Sequence, residues 1–441
     1  MTGGLAPMLA LALFLTVFLC ACVLLKINVA FGIGLGSLAI ILFGNYSSTF
    51  FMQASFSAMD NFPFLAVPTF ILAGVLMEHS GIAGALLDWC DSIVGRVRGS
   101  IGAVTTIACM AFGLLTGSAT STLSAIGKLM IGEMSRRGYK KDYAAALAAA
   151  TCFLGILIPP SAPGIIYAMC AGISITDVWM ATVVPGLAIG FGTIFLNWWI
   201  VGRKERRPEP VEGGFGAYAS NLGRQTFKSL PALVMPLIVF GGIYSGVFTP
   251  TEAGAVCVVY GIIFYLVKYI TGKKTGKSFK AIFDESSIGT ASIGLLTAFS
   301  LAAGRVITMA GVSTTLAEWI LAHCSSKWIF LILYNIVLLF MGMFMSGNAT
   351  ILILTPLLLP TAEAYGISAL EFGTIMLVAN CYGGLTPPFA TYNFIASNMA
   401  GESFGSVTKQ SLPFLALGYV IILIICIFPD CYLWLPRLLA T

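Results

Sequence analysis

Two short runs of small polar residues sit where a strongly apolar chain gives them least support. Gly117-Ser118-Ala119-Thr120-Ser121-Thr122 is followed by Pro159-Pro160-Ser161, with 41 residues from Ser118 to Pro159. Gly347-Asn348-Ala349-Thr350 is followed by Thr386-Pro387-Pro388, with 39 residues from Asn348 to Pro387. Glycine and paired prolines interrupt helices, and an interrupted helix exposes carbonyl and N–H groups. A hard cation such as Na⁺ suits carbonyl and hydroxyl oxygens, whereas an organic anion suits helix N-termini and side-chain donors. Ser118, Thr120, Ser121, Thr122 and Ser161 supply oxygens in the first half; Asn348, Thr350, Thr386, Thr391 and Asn393 supply oxygens or donors in the second. A repeated pair of interrupted apolar segments points to the binding site of a secondary transporter.

The elements that hold these runs follow from composition. Of 441 residues, 58% are hydrophobic and 9% charged, with mean hydropathy +0.95. A soluble fold cannot hide that surface, but helices of about 20 apolar residues spanning a bilayer can. Roughly ten spans and two hairpin-like segments are expected. Residues 8–25 carry no Lys or Arg ahead of the apolar run and Lys26 after it, the reverse of a cleavable signal, so they are read as the first span. The 11 cysteines show no CxxC or Cys/His metal spacing and are read as small buried hydrophobes.

The net charge of +5 matters through its distribution and says little about nucleic acid. Basic clusters at Arg96/Arg98, Arg136/Arg137/Lys140/Lys141, Arg203/Lys204/Arg206/Arg207, Arg224/Lys228 and Lys268/Lys273/Lys274/Lys277/Lys280 mark cytoplasmic loops. Residues 99–135 then start and finish inside, so they dip in and return near Gly117-Ser118. Residues 326–364 do the same from outside and turn near Gly347-Asn348. The broken helices cover about 143–175 and 369–399. Both termini fall outside. The expected fold is an all-α polytopic membrane protein, an inverted-topology repeat with two re-entrant hairpins and two broken helices. Its segments are 1–98 (scaffold helices and a surface helix), 99–175 (first hairpin and broken helix), 176–325 (a return helix, cytoplasmic amphipathic arms at 212–228 and 273–287, and the second scaffold), 326–399 (second hairpin and broken helix) and 400–441 (final helix).

Four ordered motifs carry a family likeness. FGLLTGSATSTLSAIGKLMIGEM from Phe112, GILIPPSAPGIIYA from Gly155, GMFMSGNATILILTPLLLP from Gly342 and GGLTPPFATYNFIASN from Gly383 resemble the hairpins and broken helices of the large membrane subunit of TRAP transporters (tripartite ATP-independent periplasmic transporters, DctM-like). PTFILAGVLMEHSGIAGALLDW from Pro68 fits as well, and the likeness covers nearly the whole chain. The resemblance implies Na⁺-driven uptake of an organic anion across the bacterial inner membrane. It implies delivery by a periplasmic substrate-binding protein, a small four-helix membrane subunit as partner, and an elevator motion of hairpins and broken helices against a scaffold. It further implies one Na⁺ among Gly117, Ser118, Pro159 and Ser161 and a second among Gly347, Asn348, Thr386 and Pro387, with substrate near Ser121, Thr391 and Asn393. Many family members carry an acidic residue where this chain has Ser346, so the local site is less negative here.

Plainer readings compete residue by residue. Small residues in membrane helices commonly serve close packing. Arg305 is the one basic residue inside an apolar helix; it either snorkels near the outer surface or attracts an anionic substrate. Glu78 occupies the matching place in the third span. Glu363 and Glu371 flank an outer loop and are expected in solvent, and His79 and His323 stand away from carboxylate clusters with no metal or catalytic role. Without HExxH, GxSxG or an intramembrane Asp/His pair, an intramembrane enzyme is disfavoured. The competing function is a self-sufficient Na⁺-coupled anion symporter needing no binding protein.

Overall fold

The structure, a computed structural model, describes residues 6–80, 82–94, 99–204, 214–271 and 276–439. Arg96, Arg98, Arg206, Arg207, Lys273 and Lys274 of the basic clusters lie outside them. The described residues form helices and no strands. The first repeat comprises α1 (Pro7–Leu19), α2 (Val29–Phe43), α3 (Ser48–Met59), α4 (Ala66–His79), α5 (Ile82–Val94), α6 (Ser100–Thr116), α7 (Ala119–Thr122), α8 (Lys128–Arg136), α9 (Lys141–Cys152), α10 (Leu154–Leu157), α11 (Ala162–Ala171) and α12 (Ile175–Ile200). The second comprises α13 (Gly214–Tyr244), α14 (Pro250–Ile270), α15 (Phe279–Met309), α16 (Val312–His323), α17 (Lys327–Phe344), α18 (Gly347–Ala364), α19 (Ala369–Gly383), α20 (Thr391–Ala400), α21 (Phe404–Ile427) and α22 (Asp430–Leu439).

Local chemistry accounts for many of the boundaries. Ser118, Ser161, Ser174, Ser278, Ser326, Ser368 and Ser403 each accept a backbone N–H at a helix N-terminus, and Thr249 with Glu252 forms a full capping box. These caps satisfy N–H groups that have no partner inside their helices.

The two repeats are intertwined. Helix α2 packs on α15 as α14 packs on α4; α5 packs on α13 as α16 packs on α1; α12 packs on α19 as α21 packs on α9. Each element thus covers the counterpart of its own neighbour in the other half. The result is an all-α polytopic membrane fold. Among the described residues seven helices are long and apolar enough to cross a bilayer, and an eighth span arises if Lys141–Leu157 and Ala162–Ala171, bent by 47°, are taken together. This is fewer than the ten expected, because α1 and α2 are short; α2, with 15 residues, is about 22 Å long.

Other boundaries also depart from expectation. Residues 212–228 and 273–287 do not form separate surface helices where described: α13 runs unbroken for 31 residues through Pro231 and Pro236, and α15 likewise runs for 31 residues. Helices α3, α16 and α22 were not anticipated. At 10 to 12 residues they are too short for a hydropathy window to register as spans.

The closest backbone approaches occur at two matching crossings. An ideal Cβ on Gly113 of α6 would lie 1.9 Å from the Cα of Gly155 in α10, and one on Gly342 of α17 would lie 2.8 Å from the Cα of Gly383 at the end of α19. Only glycine allows these contacts. We expect Gly113→Ala to force the crossing apart and cost about 1–3 kcal/mol, the usual price of overpacking. Gly132→Ala, with nothing within 4 Å of its Cβ, is the control. Thermal unfolding in detergent checks this: the Gly113 variant should melt several degrees lower and the control should not.

Candidate functional site

Beside each crossing the chain turns. In the first turn Gly117 closes α6 in the left-handed region (φ 57°), and a Cβ there would meet the Pro160 carbonyl oxygen at 2.7 Å. Ser118 then caps α7. Its carbonyl accepts both the backbone N–H and the hydroxyl of Thr122, at 3.1 and 2.8 Å. In the second turn Ser346 holds the capping position of α18, and its carbonyl accepts the N–H and hydroxyl of Thr350, at 3.1 and 3.4 Å. The threonine four residues after the cap makes the same pair of bonds in both halves. By these bonds Ser118 corresponds to Ser346, whereas the sequence pattern paired it with Asn348; the Gly-Ser/Gly-Asn likeness is offset by two residues. Ser346 differs from Ser118 in that its hydroxyl makes no capping bond and the residue is exposed.

The breaks behind the turns satisfy their own backbone. The Ser161 carbonyl accepts from Ile165 N–H and from the indole of Trp179, at 3.2 Å each, while the Ser161 hydroxyl accepts from Gly164 N–H. Thr386 donates to the Tyr382 carbonyl at 2.7 Å and pairs with the Tyr419 hydroxyl at 3.1 Å. Both double prolines, Pro159-Pro160 and Pro387-Pro388, have a cis bond. Ala390, completely buried, is held at φ 37°, a conformation costly for a residue with a Cβ.

Turns and breaks converge on one cavity of about 460 Å³. Thr116 to Ser121 and Met345 to Asn348 form two of its walls, Gly74 of α4 and Gly289 of α15 a third, and Asn380 and Thr391 the floor. The candidates divide accordingly. Gly117, Ser118, Ser121, Gly347, Asn348 and Thr391 line the cavity. Pro159, Ser161, Thr386 and Pro387 stand behind it, with the Ser161 and Thr386 side chains engaged as above. Asn393 is fully buried and donates to Leu385 O and Ser411 Oγ, at 3.2 and 2.9 Å, so it braces the second break instead of facing the cavity. Arg305 lines a second, separate cavity of about 520 Å³.

One residue escaped sequence reasoning. Asn380 of α19 donates its amide to the Gly347 carbonyl at 2.9 Å and so ties the second turn to the helix behind it. Its Oδ1, like that of Asn348, is buried without a hydrogen-bond partner. The signal was present: Asn380 is the one polar residue between Ile375 and Cys381, in the apolar second half of its helix. Two buried carbonyl-type oxygens lacking donors suit a hard cation or a water.

Two further expectations are corrected. His79 is paired with Glu285 at 3.1 Å, and Lys277 reaches the same carboxylate at 2.9 Å. Glu285 itself lines the main cavity, and Glu78 lies near Ser121. Glu371 is 6% exposed, not solvated, because it sits in the first turn of α19 where that helix packs beneath α17 and α12.

The family model for the tripartite ATP-independent periplasmic transporter DctM component matches residues 13–431. The chain belongs to the DctM family of TRAP transporter large permeases. It is 34% identical to the isethionate TRAP transporter permease protein DctMQ of Oleidesulfovibrio alaskensis over 90% of its own length, but spans only 62% of that relative. It is 33% identical to the C4-dicarboxylate TRAP transporter large permease protein DctM of Pseudomonas aeruginosa, covering 92% of this chain and 93% of that one. It is 32% identical to the sialic acid TRAP transporter large permease protein SiaM of Vibrio cholerae, covering 90% and 92%. In fold it is similar to the Alcanivorax borkumensis YdaH transporter, at a TM-score of 0.62 with 14% identity over 86% of this chain and 88% of that one. With its apolar spans, family membership makes this permease a multi-pass protein of the bacterial inner membrane.

The Asn380 bond has a measurable consequence. Asn380→Ala should free the Gly347 carbonyl and loosen the second turn by about one hydrogen bond, on the order of 1 kcal/mol. Amide hydrogen exchange over residues 346–350 should then accelerate several-fold while exchange over 117–122 stays unchanged. Equal acceleration in both turns would point to global destabilisation instead.

Proposed function

We propose that this chain is the large permease subunit of a Na⁺-coupled secondary transporter that imports an organic anion, a carboxylate or sulfonate, delivered by a periplasmic binding protein. The observation that carries this reading is the duplicated turn, break and glycine crossing converging on one cavity. Two repeats related in this way build a midplane site that each half can open to one side. The relatives' names give isethionate, C4-dicarboxylate and sialic acid, which support an organic anion as the substrate class. The family supplies the expected small four-helix membrane subunit as partner.

The neutral oxygens of the turns suit Na⁺. Ser118 and Thr120, 3.2 Å apart, offer hydroxyls in the first turn, while Asn348 and Asn380 offer the donor-free oxygens of the second. Ser121 and Thr391 face the cavity beside the turns, where the positive ends of α7 and α20 favour an anion. The turns and breaks ride together as one element against α4 and α15, whose Gly74 and Gly289 keep the sliding wall smooth. The positive-inside rule supports an orientation in which the end of α15 near Lys277 and Lys280 is cytoplasmic and both termini are periplasmic; with the cavity reaching Glu285 at that end, it would open inward.

Uptake into proteoliposomes containing the chain and its small partner tests the reading. The probes are labelled isethionate, succinate and N-acetylneuraminate, each with its cognate binding protein and an inward Na⁺ gradient. Uptake of one probe requiring both Na⁺ and binding protein is expected. Uptake with Na⁺ alone would make the chain a self-sufficient symporter, and indifference to Na⁺ would remove the coupling. Ser118→Ala and Asn348→Ala should each raise the half-saturating Na⁺ concentration about tenfold, equivalent to about 1.4 kcal/mol of lost ligation; unchanged Na⁺ dependence in both would remove them as ligands.

A further inference from the structure

Helix α15 lines both cavities, at two levels. Gly289 and Ile293 face the main cavity; Leu301, Gly304, Arg305 and Thr308 face the second. Arg305 lies 12 residues beyond Ile293, about 18 Å along the helix. Opposite it stand Met169 and Cys170 of α11 and Pro356 of α18, parts of the second half of the first broken helix and the outer arm of the second hairpin. The remaining wall is α3 and the residues after it, with Ser57 and Asn61 both exposed. The second cavity therefore lies between the same two groups of helices as the first, but towards the other end of α15.

Its charge is unspent. Arg305 is exposed, and no described residue gives its guanidinium a hydrogen bond or an ion pair. A snorkelling arginine that merely reached the surface would not need a cavity of about 520 Å³ with Ser57, Asn61 and Thr308 around it. The charges at the two levels add a second argument. Helices α4 and α15 are counterparts: Gly74 of α4 lets the first hairpin approach closely, with a Cβ there 3.0 Å from the Thr116 Cα, and Gly304 of α15 does the same for the second hairpin, 3.0 Å from Pro356 Cγ. Glu78, near Ser121 of the first turn, is four residues past Gly74 and Arg305 one past Gly304, so the two are not counterparts. The first level carries Glu78 and Glu285 with His79 and Lys277, a cluster of mixed sign, whereas the second cavity carries Arg305 as the one charge among its lining residues.

We propose that the cavity around Arg305 is an anion-binding vestibule, separate from the turns, in which a small carboxylate or sulfonate engages the guanidinium from the outer side before the hairpin turns receive it. This rests on the orientation given under the proposed function. Arginine offers a carboxylate or sulfonate two parallel donors, and Ser57, Asn61 and Thr308 supply further polar atoms. Such a vestibule does not change the thermodynamic driving force, which remains that of the coupling ion.

The test uses the full chain with its small partner in right-side-out membrane vesicles. Ser57→Cys is placed in a Cys170→Ser background, and modification at position 57 is followed by peptide mass spectrometry. The probes are the anionic 2-sulfonatoethyl and the cationic 2-trimethylammonioethyl methanethiosulfonates, added from the periplasmic side. The ratio of anionic to cationic rates should fall on the order of tenfold when Arg305→Gln is added, the size expected for a unit charge several ångströms away at intermediate dielectric. Isethionate or succinate at millimolar concentration should slow the cationic reagent only when Arg305 is present. An unchanged ratio, or protection that survives Arg305→Gln, overturns the proposal. So does a cavity unreactive from either side, checked with Asn61→Cys. Reaction from the cytoplasmic side alone would reverse the orientation itself. Loss of Na⁺ dependence in uptake would sink the coupling and leave the rate ratio intact, so the two failures are distinguishable.

Discussion

Backbone that leaves helical geometry at membrane depth must find its hydrogen bonds inside the protein, because lipid offers none. In this permease that constraint is met by proximity. Gly113 against Gly155 and Gly342 against Gly383 bring each hairpin arm so close to its broken helix that the turn and the break lie side by side. The groups each exposes are then answered locally: the Ser118 and Ser346 carbonyls by Thr122 and Thr350, the Gly347 carbonyl by Asn380, and the Leu385 carbonyl by Asn393. Beside the second turn and break, the amide oxygens of Asn348, Asn380 and Asn393 remain unanswered. A site of this kind is defined less by charged side chains than by which neutral oxygens the packing leaves without a donor.

The same close packing sets the electrostatics. With the turns built from Ser, Thr, Asn and Gly, the fixed charge nearest the main cavity belongs to α4 and α15 and not to the turns. Glu78 and Glu285 cluster with His79 and Lys277 at one end of those helices, and Arg305 stands alone at the other.

Much of this was legible in the sequence, for identifiable reasons. The turns near Gly117-Ser118 and Gly347-Asn348 and the breaks at Pro159 and Pro387 announce themselves because glycine and proline are excluded from ordinary helix interiors. Span boundaries were harder. Residues 212–228 read as an independent amphipathic helix since their composition changes near Pro231, yet a proline within α13 does not end that helix. Helices α3, α16 and α22 are short and defined by what they pack on, which hydropathy does not encode. Asn380 was missed because nothing local distinguishes a tether from a buried polar residue; its meaning lies in Gly347, 33 positions away. Glu371 misled for the mirror reason, a carboxylate beside a loop that tertiary packing buries.

The interlocked repeats bear on how the chain is made. From Tyr143 through Cys152 every residue of α9 is buried, most of them alanines with no exposed surface at all. Besides α6 and α8 of its own half, the helices that cover it are α20 and α21, residues Thr391 to Ala400 and Phe404 to Ile427. During synthesis α9 is therefore inserted some 240 residues ahead of these later neighbours, and must be held by lipid or by the insertion machinery until the last part of the chain emerges. Neither half is a unit of biogenesis: the first repeat reaches its finished shape only when the second has been completed around it.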